Sequence, residues 1–206
     1  MKFDNYGNGI LIRFAEEELP LLRKARAGLL ESNYNVVFGI DSLSIKGVDS
    51  LSEAKTIVDN AVLIETSTNN PKKLSHKIGV DYMQGLDNSK VAETLNLTED
   101  KIISLHTETI WEVALIGFAP GFPYLVPIDN SELWNKISRL NTPRTKVPKG
   151  SVALAAGLSA IYPNEMPGGW NIIGTTDFIL FDSKLDTPAT LTPGDTIQFI
   201  DLRRND

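Results

Sequence analysis

Residues 117–125 read Gly-Phe-Ala-Pro-Gly-Phe-Pro-Tyr-Leu, and residues 167–174 read Pro-Gly-Gly-Trp-Asn-Ile-Ile-Gly. Both set aromatic side chains among residues that constrain the backbone. Glycine admits positive φ and close approach, and proline holds φ at about −65°. Between Gly117 and Gly174 stand seven of the 15 glycines and seven of the 11 prolines, more punctuation than tight turns alone require. Short apolar runs surround it, at 111–118, 151–156, 170–174, 178–181 and 196–201, the last introduced by the turn Pro193-Gly194-Asp195. This texture predicts an all-β sandwich or barrel whose stiff, shaped loops carry a site. Aromatics beside rigid backbone suit the walls of a ligand pocket.

Upstream the period changes. Residues 10–14 read as a strand. Glu16, Glu17 and Glu18 then stand where a helix dipole favours anions, and Leu19, Leu22, Leu29 and Leu30 give that helix an apolar side. Residues 34–40 and 42–46 read as two more strands. Ser50-Leu51-Ser52-Glu53 has capping-box spacing before Ala54, Ile57, Val58, Ala61 and Val62, which mark a helix with one buried face. A strand over 75–83 completes the order β-α-β-β-α-β, the ferredoxin-like pattern. Two short helices follow within 84–108, one marked by Val91, Ala92 and Leu95, the other capped by Thr98 and carrying Ile102, Ile103 and Leu105. The expected class is α+β, with a first domain over 1–83 and a β domain over 84–206.

The composition excludes several chemistries. The 206 residues contain no cysteine, so a disulfide scaffold, a thiol nucleophile, an iron–sulfur cluster and a thiolate zinc site are out, and with only His76 and His106 a histidine metal site is not expected. The opening MKFDNYGNGI lacks the apolar core of a signal peptide, and no apolar run reaches the roughly 18 residues of a membrane span, so a cytoplasmic protein without a membrane partner is expected. Net charge is −6, but residues 133–164 contain no Asp or Glu at all, and carry Lys136, Arg139, Arg144, Lys146 and Lys149. That island is +5, so the remainder carries −6 − 5 = −11. Clustered like charge focuses field and suits a small carboxylate, a phosphate or an acidic protein surface. A pI of about 5.0 speaks against nucleic acid as the anion. No Walker-type phosphate loop is present, and Gly157-Leu158-Ser159-Ala160-Ile161 fails the last position of a nucleophile elbow.

Three segments together resemble a known family: Gly117 to Leu125 as quoted; Thr142-Pro143-Arg144-Thr145-Lys146-Val147-Pro148-Lys149-Gly150-Ser151-Val152; and Ile161-Tyr162-Pro163 running on to Pro167-Gly168-Gly169-Trp170-Asn171-Ile172-Ile173-Gly174. In order and spacing they resemble the B-type subunit of 5-oxoprolinase, a family also labelled allophanate hydrolase subunit 1, which includes a Kip-type inhibitor of a sporulation histidine kinase. The resemblance implies a small ferredoxin-like N-terminal domain followed by a cyclophilin-like β-barrel. It implies a non-autonomous component of an ATP-dependent enzyme that opens pyroglutamate to glutamate. Its partners would be the C-type component of 5-oxoprolinase, itself cyclophilin-like, and the A-type component, with ATP and Mg in the assembled complex. The alternative it carries is a regulatory protein that binds and inhibits a histidine kinase. Two positions depart from the family pattern: Leu158-Ser159-Ala160 stands where relatives read Gln-Thr-Gly, and Gly174-Thr175-Thr176 where relatives read Gly-Arg-Thr.

Arg144 and Lys146 are the first candidates for anion contact in catalysis. Arginine offers a planar fork and lysine a compact charge, and either could stabilise a transferring phosphoryl group. His106 is a third catalytic candidate, because histidine titrates near neutral pH. Arg139 and Lys149 follow as further cations. Pro120, Gly121, Phe122, Tyr124, Tyr162, Gly168, Gly169 and Trp170 are expected to shape or wall a pocket, and Ser151 to donate a hydrogen bond in it.

Overall fold

The computed structural model describes residues 1–30, 32–64, 73–129 and 131–204. The chain divides into two compact units, Met1–Lys72 and Lys73–Asp206.

In the first unit, β1 (Lys2–Tyr6) and β2 (Gly9–Arg13) form a hairpin, a 3-10 turn over Glu16–Glu18 leads into α1 (Leu19–Leu30), and β3 (Asn35–Phe38), β4 (Ser42–Lys46) and α2 (Leu51–Leu63) follow. The antiparallel sheet has the order β1-β2-β4-β3. Strand periodicity turns Ile10, Ile12, Leu43 and Ile45 to one face, where they meet Leu22, Ala25 and Leu29 of α1 and Ala54, Ile57, Val58 and Ala61 of α2. A Cβ at Gly28 would lie 2.2 Å from the Ala61 carbonyl oxygen, so the two helices touch backbone to backbone there. Ser50 caps α2 by accepting from the Glu53 N–H, as its spacing predicts.

Two expectations fail in this unit. The strand expected over 75–83 does not close the sheet; β1 takes that edge beside β2. An edge strand with one wet face needs few apolar residues, and β1 turns only Phe3 toward the core, so its polar sequence hides it. Leu30 is 66% exposed, because the inward stripe of α1 runs through Leu22, Ala25, Gly28 and Leu29.

The second unit opens with β5 (Ser75–Val80), a 3-10 turn over Tyr82–Gln84, α3 (Asn88–Leu95) and α4 (Glu99–Glu108). Thr98 caps α4 by accepting from the Lys101 N–H. Then come β6 (Ile110–Ile116), β7 (Pro123–Pro127), the short α5 (Ser131–Trp134), β8 (Arg144–Val147), β9 (Ser151–Ala155), β10 (Leu158–Ile161), β11 (Met166–Gly168), β12 (Asn171–Thr175) and β13 (Thr196–Asp201). Seven strands form one sheet in the order β12-β9-β10-β7-β6-β13-β5, while β8 and β11 make a separate ribbon. Pairing of β5 with β13 is parallel and extends over 75–80, which commits that strand to this unit. The sheet curls into a half-barrel. At one end its two edge strands meet: Asp81, just after β5, and Thr175, at the end of β12, exchange backbone hydrogen bonds of 2.8 and 3.0 Å.

All five residues of β9 are buried because each face of the strand is covered. Val152 and Leu154 join the main core with Trp111, Trp134, Ile161 and Phe199 and with Val91, Ile102 and Ile103 of the helices. Ala153 and Ala155 join a second cluster with Phe122, Val147, Ala160, Tyr162 and Trp170. The run 178–181 is not a strand; its one ladder contact is an isolated bridge between Phe181 and Ala189. Among the described residues, no helix is long and apolar enough to cross a membrane.

Candidate functional site

The second cluster is an aromatic face built on small residues, with Phe122, Tyr162 and Trp170 buried in it and Tyr124 half-buried. Ala153, Ala155 and Ala160 give it a low floor on β9 and β10. Phe122 stands at its centre, just before β7, with ring centroids 5.1 Å from Tyr124, 5.2 Å from Tyr162 and 6.2 Å from Trp170. Tyr124 and Trp170 lie 5.9 Å apart. Most of these contacts are edge-to-face, the arrangement that ring quadrupoles favour. Burial pushes the phenols of Tyr124 and Tyr162 above their ordinary range, so both are neutral hydroxyls at neutral pH.

The glycines of the motif segments are close-approach positions. A Cβ at Gly168 would fall 2.2 Å from the Tyr162 hydroxyl oxygen, so only glycine leaves that phenol its place. Gly121 has φ +78°, and a Cβ there would fall 2.7 Å from Phe181 Cβ, which fixes the turn that delivers Phe122. Gly169 lies in ordinary contact with Pro143, and Pro120 is exposed on the same turn as Gly121.

The two arginines nearest this face differ in kind. Arg139 sets its guanidinium 6.0 Å from the Trp170 ring centroid and has no carboxylate partner among the described residues. Its positive field opposes the burial effect on Tyr124 and Tyr162. Its neighbours are tied down: the Asn171 amide donates to the Ser138 carbonyl at 2.8 Å, and the Leu140 N–H donates to the Gly169 carbonyl at 2.7 Å. Arg144, on β8 opposite Gly168, donates to Asp87 Oδ1 at 2.7 Å and to the Trp170 carbonyl at 3.5 Å. The other oxygen of Asp87 accepts the Ile172 N–H at 2.7 Å. Asp87 therefore locks Arg144 to the start of α3 and to β12.

The structure brings Phe122, Tyr124, Arg139, Arg144, Tyr162, Gly168 and Trp170 together. It does not bring Lys146, Lys149 or His106 to the same place. Lys146 is solvent-exposed and pairs with Glu165 at 3.2 Å, and Lys149 is exposed without an ion pair among the described residues. Ser151 is buried, and its hydroxyl has no hydrogen-bond partner among the described residues. By strand periodicity it faces the same side as Ala153 and Ala155. His106 is fully buried in the main core. Its Nδ1 lies 2.7 Å from the Tyr82 hydroxyl and its Nε2 lies 3.2 Å from Ser159 Oγ, while its ring stacks on Phe199 at 4.4 Å. Burial pushes its pKa down to about 3, so it is a neutral packing group remote from solvent, not a proton shuttle at the arginines.

Asp87 and Asn171 are the residues that sequence reasoning misses. Asn171 stands inside a quoted motif. Asp87 lies 57 positions before Arg144, and only the fold joins them. The two departures also find their places: Leu158 packs on the aromatic cluster, and Thr175 supplies the backbone that closes the sheet.

A curled sheet carrying such a face is a carboxyltransferase-type fold. The solved Kluyveromyces lactis urea amidolyase superposes with a TM-score of 0.74 over 97% of this chain and 15% of that one, at 18% identity. At that identity the likeness speaks for the fold alone. Residues 10–191 match the family model of the carboxyltransferase domain, subdomain C and D, and this chain belongs to that family. Conserved uncharacterized protein PH0987 from Pyrococcus horikoshii superposes with a TM-score of 0.57 at 28% identity, over 98% of this chain and 97% of that one. The chain is also similar to the B-type subunit of 5-oxoprolinase from Haemophilus influenzae, 43% identical over 117 residues, 57% of this chain and 54% of that protein. It spans about half the length of the curated relatives it matches.

Proposed function

We propose that this chain is a component of an ATP-dependent 5-oxoprolinase that opens pyroglutamate to glutamate. In this reading its second unit is a cyclophilin-like barrel that works with a second cyclophilin-like chain, the C-type component of the enzyme, and with the A-type component. Relatives named as the B-type subunit of 5-oxoprolinase, 35–43% identical, support the reaction. The observation that carries the substrate's placement is Arg139, a guanidinium over Trp170 without a carboxylate partner among the described residues. 5-Oxoproline offers matching chemistry: a carboxylate for Arg139 and a lactam oxygen for the hydroxyl of half-buried Tyr124, over a core in which Phe122, Tyr162 and Trp170 are buried. Arg144, held by Asp87, is a positioning residue that keeps β8 and Gly168 beneath Tyr162.

ATP and Mg belong to the assembled complex. The described residues of this chain do not fit a metal by themselves. No group of three or more His, Cys, Asp or Glu stands together among them, and the carboxylate of Asp87 is already taken by Arg144 and the Ile172 N–H. No step is therefore assigned to a metal held here.

The test is to combine the chain with the A-type and C-type components, 5-oxoproline and ATP, and to measure glutamate and ADP. Turnover that is unchanged when this chain is left out refutes the proposal. Inhibition of a sensor histidine kinase's autophosphorylation by the same preparation, with no 5-oxoprolinase activity, would assign it the regulatory role instead.

A further inference from the structure

We propose that Asn171 is a positioning residue for carboxylate binding: its buried side-chain amide fixes the backbone beside Arg139, so that the guanidinium is held over Trp170 for the carboxylate of a small lactam acid. This rests on the functional reading above, in which Arg139 takes that carboxylate. Arg139 lies between α5 and β8, on a segment outside any helix or strand. Of residues 135–142, only Ile137 is buried, so side-chain packing does little to hold the segment. Hydrogen bonds on both sides of Arg139 hold it instead. The Ala156 N–H donates to the Ile137 carbonyl at 2.6 Å, Asn171 Nδ2 donates to the Ser138 carbonyl at 2.8 Å, and the Leu140 N–H donates to the Gly169 carbonyl at 2.7 Å. The first and last of these join backbone to backbone. The middle one, at the residue next to Arg139, is made by a side chain.

The sheet itself does not require an amide at 171. Asn171 pairs across the ladder with Leu154, whose side chain fills the main core, so position 171 faces that core too. An apolar, β-branched residue is the ordinary occupant of such a place, and Ile172 and Ile173 next to it are of that kind. Asn171 is 1% exposed, and burying an amide is costly unless its hydrogen bonds are met. Its Nδ2 meets two carbonyls, Leu154 at 3.1 Å within the sheet and Ser138 outside it. The Ser138 bond extends no ladder and caps no helix; what it fixes is the residue before Arg139. Trp170 precedes Asn171, so two consecutive residues supply the ring under the guanidinium and the anchor of its backbone. An anchored arginine gives up less freedom when a carboxylate arrives, and this is how a supporting residue raises affinity without touching the ligand.

The experiment compares wild type with Asn171→Val and Asn171→Ser in the full chain, alone and with the second cyclophilin-like chain. Valine suits a core-facing strand position, and serine is the smaller polar alternative. Affinity is measured by chemical-shift titration with 5-oxoproline and with 2-pyrrolidinone, the same ring without the carboxylate. Amide nitrogen relaxation reports the order of residues 138–140. Both variants are expected to bind 5-oxoproline roughly three- to tenfold more weakly, the worth of one hydrogen bond. Their affinity for 2-pyrrolidinone stays at the wild-type value, and residues 138–140 become more mobile while β9 and β12 do not. Wild-type affinity for 5-oxoproline in the variants, or equal weakening toward both lactams, assigns the amide to the fold and overturns the inference while leaving the functional reading intact. Loss of folding in both variants does the same. Failure of the wild-type chain to bind 5-oxoproline in either setting overturns both.

Discussion

Acid should destabilise the second unit through one buried imidazole. His106 is neutral in the folded chain, with a pKa pushed down to about 3 by burial against an ordinary 6.5. Below pH 6.5 the unfolded chain binds a proton that the folded chain refuses, so stability falls as pH falls. The loss is about 2 kcal/mol at pH 5 and grows by about 1.4 kcal/mol for each further unit until the folded pKa is reached. Against a domain stability of about 5–15 kcal/mol that is a large share. The assay is urea unfolding at pH 7.5 and pH 5, followed by tryptophan fluorescence. All three tryptophans, Trp111, Trp134 and Trp170, lie in the second unit, and the rings of the first two stand 5.2 and 6.0 Å from the His106 ring, so the signal reports this unit. His106→Gln provides the reference, because it keeps every other titrating group and removes this one. Wild type should lose about 2 kcal/mol more than the variant between the two pH values. Parallel losses would falsify the assignment. If His106→Gln does not fold, the imidazole proton resonances of wild type decide the matter, and titration near 6.5 in the folded state refutes it.

Four substitutions test the site. Asp87→Ala leaves Arg144 and the Ile172 N–H without their acceptor, and calorimetry should show a loss of about 2–3 kcal/mol. Gly168→Ala drives a methyl into the Tyr162 hydroxyl; it should weaken 5-oxoproline binding and cost about 1–3 kcal/mol of stability. Arg139→Ala should move stability by no more than about 0.5 kcal/mol while binding of any carboxylate collapses, read by titration calorimetry; a stable variant with full affinity would remove Arg139 from the site. Gly150→Ala combines φ +81° with a Cβ 2.2 Å from the Thr176 carbonyl oxygen, and denaturant unfolding should show a loss of about 3 kcal/mol.

What can be read from the sequence follows from how local the signal is. The stripe Ala54, Ile57, Val58 and Ala61 shows α2 outright, because a helix facing one core writes its period into successive turns. The caps Ser50 and Thr98 are local as well, each bonding three residues ahead. Strand β1 escapes sequence reading because one inward phenylalanine suffices at an edge. The strand near 75–83 is legible as a strand but not as a member of its sheet, since nothing in Ser-His-Lys-Ile-Gly-Val says that its partner lies over a hundred residues downstream in β13. The run 178–181 is apolar because Leu180 fills the core, not because it joins a ladder. At the site, the aromatics and glycines are legible, since rigid backbone beside rings is a local pattern. The partners of the charges are not.

That difference changes what the basic island means. Its +5 counts residues adjacent in sequence, whereas field depends on residues adjacent in space. Glu165, one residue past the acid-free stretch, faces Lys146 across the β8–β11 ribbon. Asp87, brought in by α3, takes Arg144 and fixes it through a second bond to the backbone of β12. A bidentate cation looks the same in a sequence whether its fork awaits a ligand or already grips a carboxylate. Arg144 grips one, and its work is geometric: it ties β8 to β12 and so sets Gly168 under the Tyr162 hydroxyl. Arg139 lies on an irregular segment outside any strand, its neighbours pinned by Asn171 and Gly169, its guanidinium over an indole. In the proposed reading the anion contact falls to Arg139, the second-ranked cation of the sequence, because anchored neighbours and a fork with no carboxylate partner among the described residues, rather than membership of a strand, are what a carboxylate site requires.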